Sequence, residues 1–378
     1  MTLSARGAMA LAVAVCATAL AGCGGDPVSA PPATLSDPPG LTNDVQSLNT
    51  PFQAPILLSF SALGGTSALT ARTASVLTAM APTRPALTMR ATAIRKQAFA
   101  VKALRPSFAT APTGPGSLIA DTLWGRVYVY DTSTGQYVEG AATGGPAAGV
   151  RFTLYALNPL TNTPVLPLDP IGYADLTDES STTQYKLGVL AADPTTTYAD
   201  YVITATATES SFAATAAGFV TDGAHRLDFT NSGAASTNHV AIDFGLTLNQ
   251  PAVSAHLQAD LTLGNPTSVL SLTFAVTRGS ETVALTGTLG VTATQSGQSA
   301  SANFAIRVNG GQFATITGTI QSGSTTGYTF NGPDRALTES ERQAIDQLLI
   351  APSGLAGALD PVFAPAEALV GTNYSLGL

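Results

Sequence analysis

The sequence is poor in reactive side chains. Its 378 residues hold two cysteines, three histidines and one tryptophan, and only 11% of them are charged. The two cysteines, Cys16 and Cys23, lie so close to the N-terminus that no disulfide framework can hold the chain together. His225, His239 and His256 are 14 and 17 residues apart, spacings that match no compact metal-ligand motif. There is no G-x-S-x-G, no H-E-x-x-H, no phosphate-binding glycine loop and no cysteine nucleophile, so no reaction or cofactor is named. Acidic residues outnumber basic ones 24 to 16, for a net charge of −8, and no nucleic-acid partner is expected.

What is present begins with an address. Residues 1–22 have the layout of a secretory signal, with Arg6 as the only charge. Its apolar core, Ala8 to Leu20, is shorter than the roughly 18–20 residues a spanning helix needs. Leu20-Ala21-Gly22-Cys23 follows, and this resembles the lipobox of bacterial lipoproteins. The resemblance implies lipidation of the Cys23 thiol, cleavage before it, and a membrane anchor at the new N-terminus. Gly24 stands where an Asp would retain such a protein at the inner membrane, which implies transfer to the outer membrane.

Residues 23–42 carry five prolines and read as a tether; fully extended at about 3.1 Å per residue it spans up to ~60 Å. Residues 43–62 read as a short helical element, with Val45, Leu48, Phe52, Ile56 and Phe60 at helical spacing and Pro51 and Pro55 interrupting it. Residues 63–120 read as a basic linker rich in Ala, Thr and Pro: between 64 and 118 it has seven basic residues and no acidic one. Within it, 86–106 has the pattern of a basic amphipathic helix. From Asp121 onward the balance reverses to 8 basic against 21 acidic residues.

The remainder reads as strands, which gives an all-β, mainly antiparallel fold class. Residues 121–210 are short alternating runs separated by turn signals, as in a β-sandwich module. Gly125–Val127, Gly149–Tyr155, Tyr185–Leu190 and Tyr201–Ala205 weakly resemble the strands of transthyretin-like and carboxypeptidase-regulatory modules, a likeness confined to residues 122–208. Residues 211–378 are expected to form a curved antiparallel meander sheet or partial barrel. There Val240, Ile242, Phe244, Leu246 and Leu248 share one face, as do Val253, Ala255, Leu257, Ala259, Leu261 and Leu263. Ser254, His256, Gln258, Asp260 and Thr262 point to the other face. A covering helix is predicted over 339–350: Thr338 and Glu341 form a capping box, and Ala344, Ile345, Leu348 and Leu349 make its apolar stripe. Pro352 and Gly354 are expected to stop it, with the apolar tail beyond packing on the same sheet.

Two groups of side chains could carry chemistry. Asp175, Asp178 and Glu179 gather hard carboxylate oxygens in a short loop, as calcium ligands would, with Asp169, Asp193 or Asp200 to complete the shell. Trp124, Tyr128 and Tyr130 alternate along a strand and could stack on a glycan or grip a partner protein, or simply pack in a core. No carboxylate pair can be singled out for hydrolysis. The reading is therefore a non-enzymatic, lipid-anchored lipoprotein of the cell envelope that binds or scaffolds a partner protein or glycan. The alternative is a carrier of a lipid or other apolar ligand in a half-barrel cavity, and an envelope hydrolase stands third.

Overall fold

The computed structural model describes residues 33–63, 117–207, 211–236, 238–264, 266–294, 297–321, 328–332 and 335–375. The signal segment, Cys23, most of the tether and the basic 64–116 stretch lie outside these residues. Two short helices come first, α1 (Pro38–Ser47) and α2 (Pro55–Ala62), joined through a 3-10 turn at Thr50–Gln53. Strands follow: β1 (Arg126–Asp131), β2 (Gln136–Thr143), β3 (Gly149–Tyr155), β4 (Pro170–Asp178), β5 (Tyr185–Ala192), β6 (Thr197–Ala207) and β7 (Ser211–Thr221). Next are β8 (Arg226–Ser236), β9 (His239–Leu248), β10 (Val253–Thr262), β11 (Thr267–Arg278) and β12 (Glu281–Thr294). The chain ends with β13 (Gly297–Val308), β14 (Gly311–Gln321), β15 (Tyr328–Asn331) and the helix α3 (Glu339–Ser375).

All fifteen strands belong to one open sheet in the order β15 through β3, then β1 and β2. Every neighbouring pair is antiparallel except β1 and β3, which run parallel. The protein is thus an all-β meander with a C-terminal helix. The expected β-sandwich followed by a separate sheet is corrected at one place. Ala199–Ala207 of β6 pair continuously with Phe212–Val220 of β7, so the sheet runs straight through the expected boundary at 210. A long β6–β7 hairpin satisfies both backbones at once, which leaves no edge there to open a second layer.

Strand alternation gives the sheet an inner and an outer face. Leu154, Leu176, Val189, Tyr201, Phe229, Leu246, Phe274, Leu285 and Ile306 are buried on the inner one. The register aligns Phe244 with Leu257, and Leu257 with Phe274, as the sequence pattern requires. All three helices pack on this face. Asp37 caps α1 by accepting from the Gly40 amide at 3.0 Å, and Leu41 and Val45 turn inward. The tether is thereby corrected: its last part, 33–42, is docked structure, because Pro38 and Pro39 preset the first turn of α1. α2 inserts Ile56, Leu57 and Phe60, and its Ser59 Oγ accepts from the Tyr155 amide at 3.1 Å.

The capping box of α3 forms as expected. Thr338 N donates to Glu341 Oε2 at 2.8 Å, and Glu341 N to Thr338 Oγ1 at 3.3 Å. Ala344, Ile345 and Leu348 are fully buried. The helix then continues past Pro352, where a stop was expected. Its apolar stripe goes on through Leu355, Leu359 and Val362, and burying these outweighs the backbone bond that the proline removes. Phe363 closes an aromatic triad with Tyr201 and Phe229, and Tyr201 Oη donates to the Val362 carbonyl at 2.5 Å.

Candidate functional site

The helices occupy the inner face, so among the described residues polar chemistry collects on the outer one. Its centre lies on β8–β11, where Gly245 has no side chain between Thr230 and His256. The missing side chain leaves a shallow open depression of about 310 Å³, lined by Asp228, Thr230, Thr247, Ser254, His256 and Thr277. Hydroxyls, an imidazole and a carboxylate around an open floor can donate and accept hydrogen bonds to a hydroxyl-rich ligand.

Each of the three histidines is paired with an aspartate. His256 Nε2 lies 3.1 Å from Asp243 Oδ1, and Gln258 Nε2 donates to Asp243 Oδ2 at 2.9 Å. The Gln258 bond first, helped by His256, holds the Asp243 carboxyl below its usual range against the opposing effect of burial. His239 Nε2 is 2.7 Å from Asp260 Oδ2 on the same face, and His225 Nδ1 is 2.8 Å from Asp222 Oδ2 in the β7–β8 turn. Among the described residues no serine, threonine or cysteine hydrogen-bonds to these imidazoles; each one's side-chain partner is a carboxylate. The sequence placed His256 and Asp260 outward. The pairing of each with the adjacent strand needed the β9–β10 register, which the turn at 249–252 sets.

The acidic loop is distributed among separate partners. Asp175 takes a two-pronged bond from Arg151 at 2.7 Å for each prong, and Arg151 also lies over the Tyr173 ring. Glu179 pairs with Lys186 at 2.5 Å. Asp178 is buried, and it accepts from the Ser117 hydroxyl, from the Ile119 amide at 2.9 Å and from the Ser180 amide at 2.9 Å. Burial pushes its carboxyl up, but these donors outweigh that and hold it low. Its task is to fasten residues 117–119 to the end of β4. No group of three or more metal-ligating side chains exists among the described residues.

Of the aromatic trio, Tyr128 and Tyr130 share one face and join a single cluster through Phe152 and Tyr137, while Trp124 stands apart. Tyr128 lies on the inner face, stacked on Phe152 with ring centroids 5.2 Å apart. Tyr130 meets the edge of Tyr137 at 5.8 Å, and Tyr137 Oη donates to the Thr153 carbonyl at 2.9 Å. Trp124 precedes the strand, because Gly125 turns the chain with φ at 77°. Its Nε1 donates to the Ile119 carbonyl at 3.0 Å while 40% of the residue stays exposed. Comparison with protein-family models, curated proteins and solved structures finds no match to this chain.

Proposed function

We propose that this protein is a non-enzymatic lipoprotein of the bacterial cell envelope, anchored at the outer membrane through lipid on Cys23, and that its sheet displays a polar outer face for a partner. The partner is a glycan or an envelope protein rich in hydroxyl and amide groups. One observation carries the reading: all described helices pack on the inner face, while the outer face keeps its Ser, Thr and His–Asp side chains in solvent. A displayed binding face needs that asymmetry. A lipid carrier would instead need unfilled apolar space under the helices. At the inward position of Gly287, the Phe304 ring already occupies the volume a side chain would take.

The test uses the full-length protein, purified in detergent from membranes and exposed to envelope glycans and cross-linked envelope extracts. Capture that is lost in the Asp243→Ala, His256→Ala double variant, with the fold retained, supports the reading. Unchanged capture in that variant removes this face from it. A lipid-sized mass retained in the native mass spectrum beyond the covalent anchor would replace it with the carrier reading.

A further inference from the structure

The two ends of this sheet differ. From β3 to β14 every strand is antiparallel to its neighbour, so the turns that follow β3, β5, β7, β9, β11 and β13 all lie at one end. Two unrelated features lie at that end, on well-separated strands. The first is where the chain enters the body. Ala33 N donates to the Gln312 carbonyl at 3.2 Å, beside the β13–β14 turn, and Ser36 N donates to Glu281 Oε1 at 2.8 Å, beside the β11–β12 turn. Arg278 then grips Asp37 at 3.0 Å and Asp44 at 3.1 Å.

The second feature is the β3–β4 loop. It carries the two most exposed large apolar residues among those described, Leu160 at 90% and Leu166 at 65%, with Val165 beside them at 43%. The loop holds them out by design of its backbone. Asn158 N donates to the Thr163 carbonyl at 2.9 Å, Asn162 N to the Asn158 carbonyl at 2.8 Å and Val165 N to the Ala156 carbonyl at 2.8 Å. Asn158 Oδ1 also accepts from Leu160 N at 2.9 Å, and Asn162 adopts a left-handed φ of 55° that closes the turn. This is a built turn with a leucine at its tip.

The helical layer fixes these two features to one another. α1 starts against Arg278, and α2 ends the layer against Tyr155 and Gly172, at the base of the β3–β4 loop. The chain from Cys23 to Ala33 is ten residues long, so it reaches at most about 35 Å. That is about one strand length, which makes the turn end the nearer one to any lipid on Cys23. Charge supplies little attraction among the described residues: Arg278 is held by Asp37 and Asp44 and Arg226 by Asp228, and Asp169, Asp193 and Asp222 lie at this end together with Arg307. Apolar insertion is what remains.

We infer that this end of the sheet faces the bilayer, with Leu160, Val165 and Leu166 entering the lipid interface as a second, non-covalent contact that orients the body. The outer-face depression then stands across the membrane normal, open to a partner alongside. The inference rests on the reading that Cys23 is lipidated, and the experiment separates the two. Full-length Leu160→Trp, Leu166→Trp and Val269→Trp variants are reconstituted in vesicles with and without brominated acyl chains, and the emission of wild-type Trp124 is subtracted. Val269 serves as the control because it is exposed near the opposite end.

About twofold quenching is expected at positions 160 and 166, unchanged by high salt, with almost none at 269. Equal quenching at all three positions, or none at any, overturns the proposal. Intact mass spectrometry reads the Cys23 lipid independently. Quenching at 160 without that lipid removes the anchor and keeps the loop, whereas lipid without quenching does the reverse. A cross-link from position 160 to an envelope protein, with no quenching, assigns the loop to a protein and overturns the proposal as well.

Discussion

Single side chains decide how closely the layers approach. Gly218 lies between Tyr201 and Phe229 in the register, and a Cβ there would come within 2.1 Å of the Asp200 carbonyl oxygen and 2.4 Å of Tyr201 Cβ. Its φ of 156° adds backbone strain for any other residue. Gly218→Ala should therefore destabilise the protein by about 2 kcal/mol or more, read from the shift of the denaturant midpoint. Glu341 is the ionisable counterpart. The Arg335 guanidinium, followed by the Thr338 amide and hydroxyl, outweighs burial and brings its carboxyl to about 2. A folded value below the ordinary glutamate range means the stabilisation is complete above that range and is lost as pH falls through about 2. Glu341→Gln should lower stability by about 1 kcal/mol at pH 6 and by almost nothing at pH 2, measured by thermal melts of both proteins.

At the scale of elements, α3 closes the inner face. Ile345 and Leu348 are fully buried, so truncating either to Ala should cost about 2–5 kcal/mol by transfer and cavity terms together. An equally sized loss from Arg342→Gly, which lowers helicity at an exposed position, would show that α3 acts through helicity alone and not through its packed stripe. The β13–β14 turn shows how local chemistry sets register. Asn309 and Gly310 have φ of 49° and 83°, the left-handed pair that a two-residue hairpin requires, and Val308 then pairs with Gly311. The alternating apolar runs were legible in the sequence because they are local. The continuation of α3 past Pro352 was not legible, since Val362 and Phe363 beyond it find their partners on β6 and β8.

At the scale of the molecule, one continuous sheet binds the two expected modules into a single cooperative body. Calorimetry should show one unfolding transition, and a chain ending at 210 should fail to fold because β6 would lose its partner and Tyr201 its aromatic neighbours. Two separated transitions would restore the domain boundary at 210. The same continuity puts all the helical mass on one face and leaves the other in water, an asymmetry that a sandwich would have removed.

Sequence alone determined the strand type, the faces of β9 and β10, the capping box at Thr338 and Glu341, and the interruption between α1 and α2, where Pro51 and Pro55 stand at the starts of the 3-10 turn and of α2. Each of these rests on neighbours within a few positions, where periodicity and turn chemistry act directly. Tertiary structure alone decided that β6 and β7 join the halves and that Asp175, Asp178 and Glu179 serve three different partners. It also turned Tyr128 inward and brought the Ala33 entry and the Leu160 turn to the same end of the sheet. The reason is that periodicity gives a carboxylate or an aromatic ring a side but no partner: its partner and its end of the sheet exist only once register lays neighbouring strands side by side and the helices choose a face.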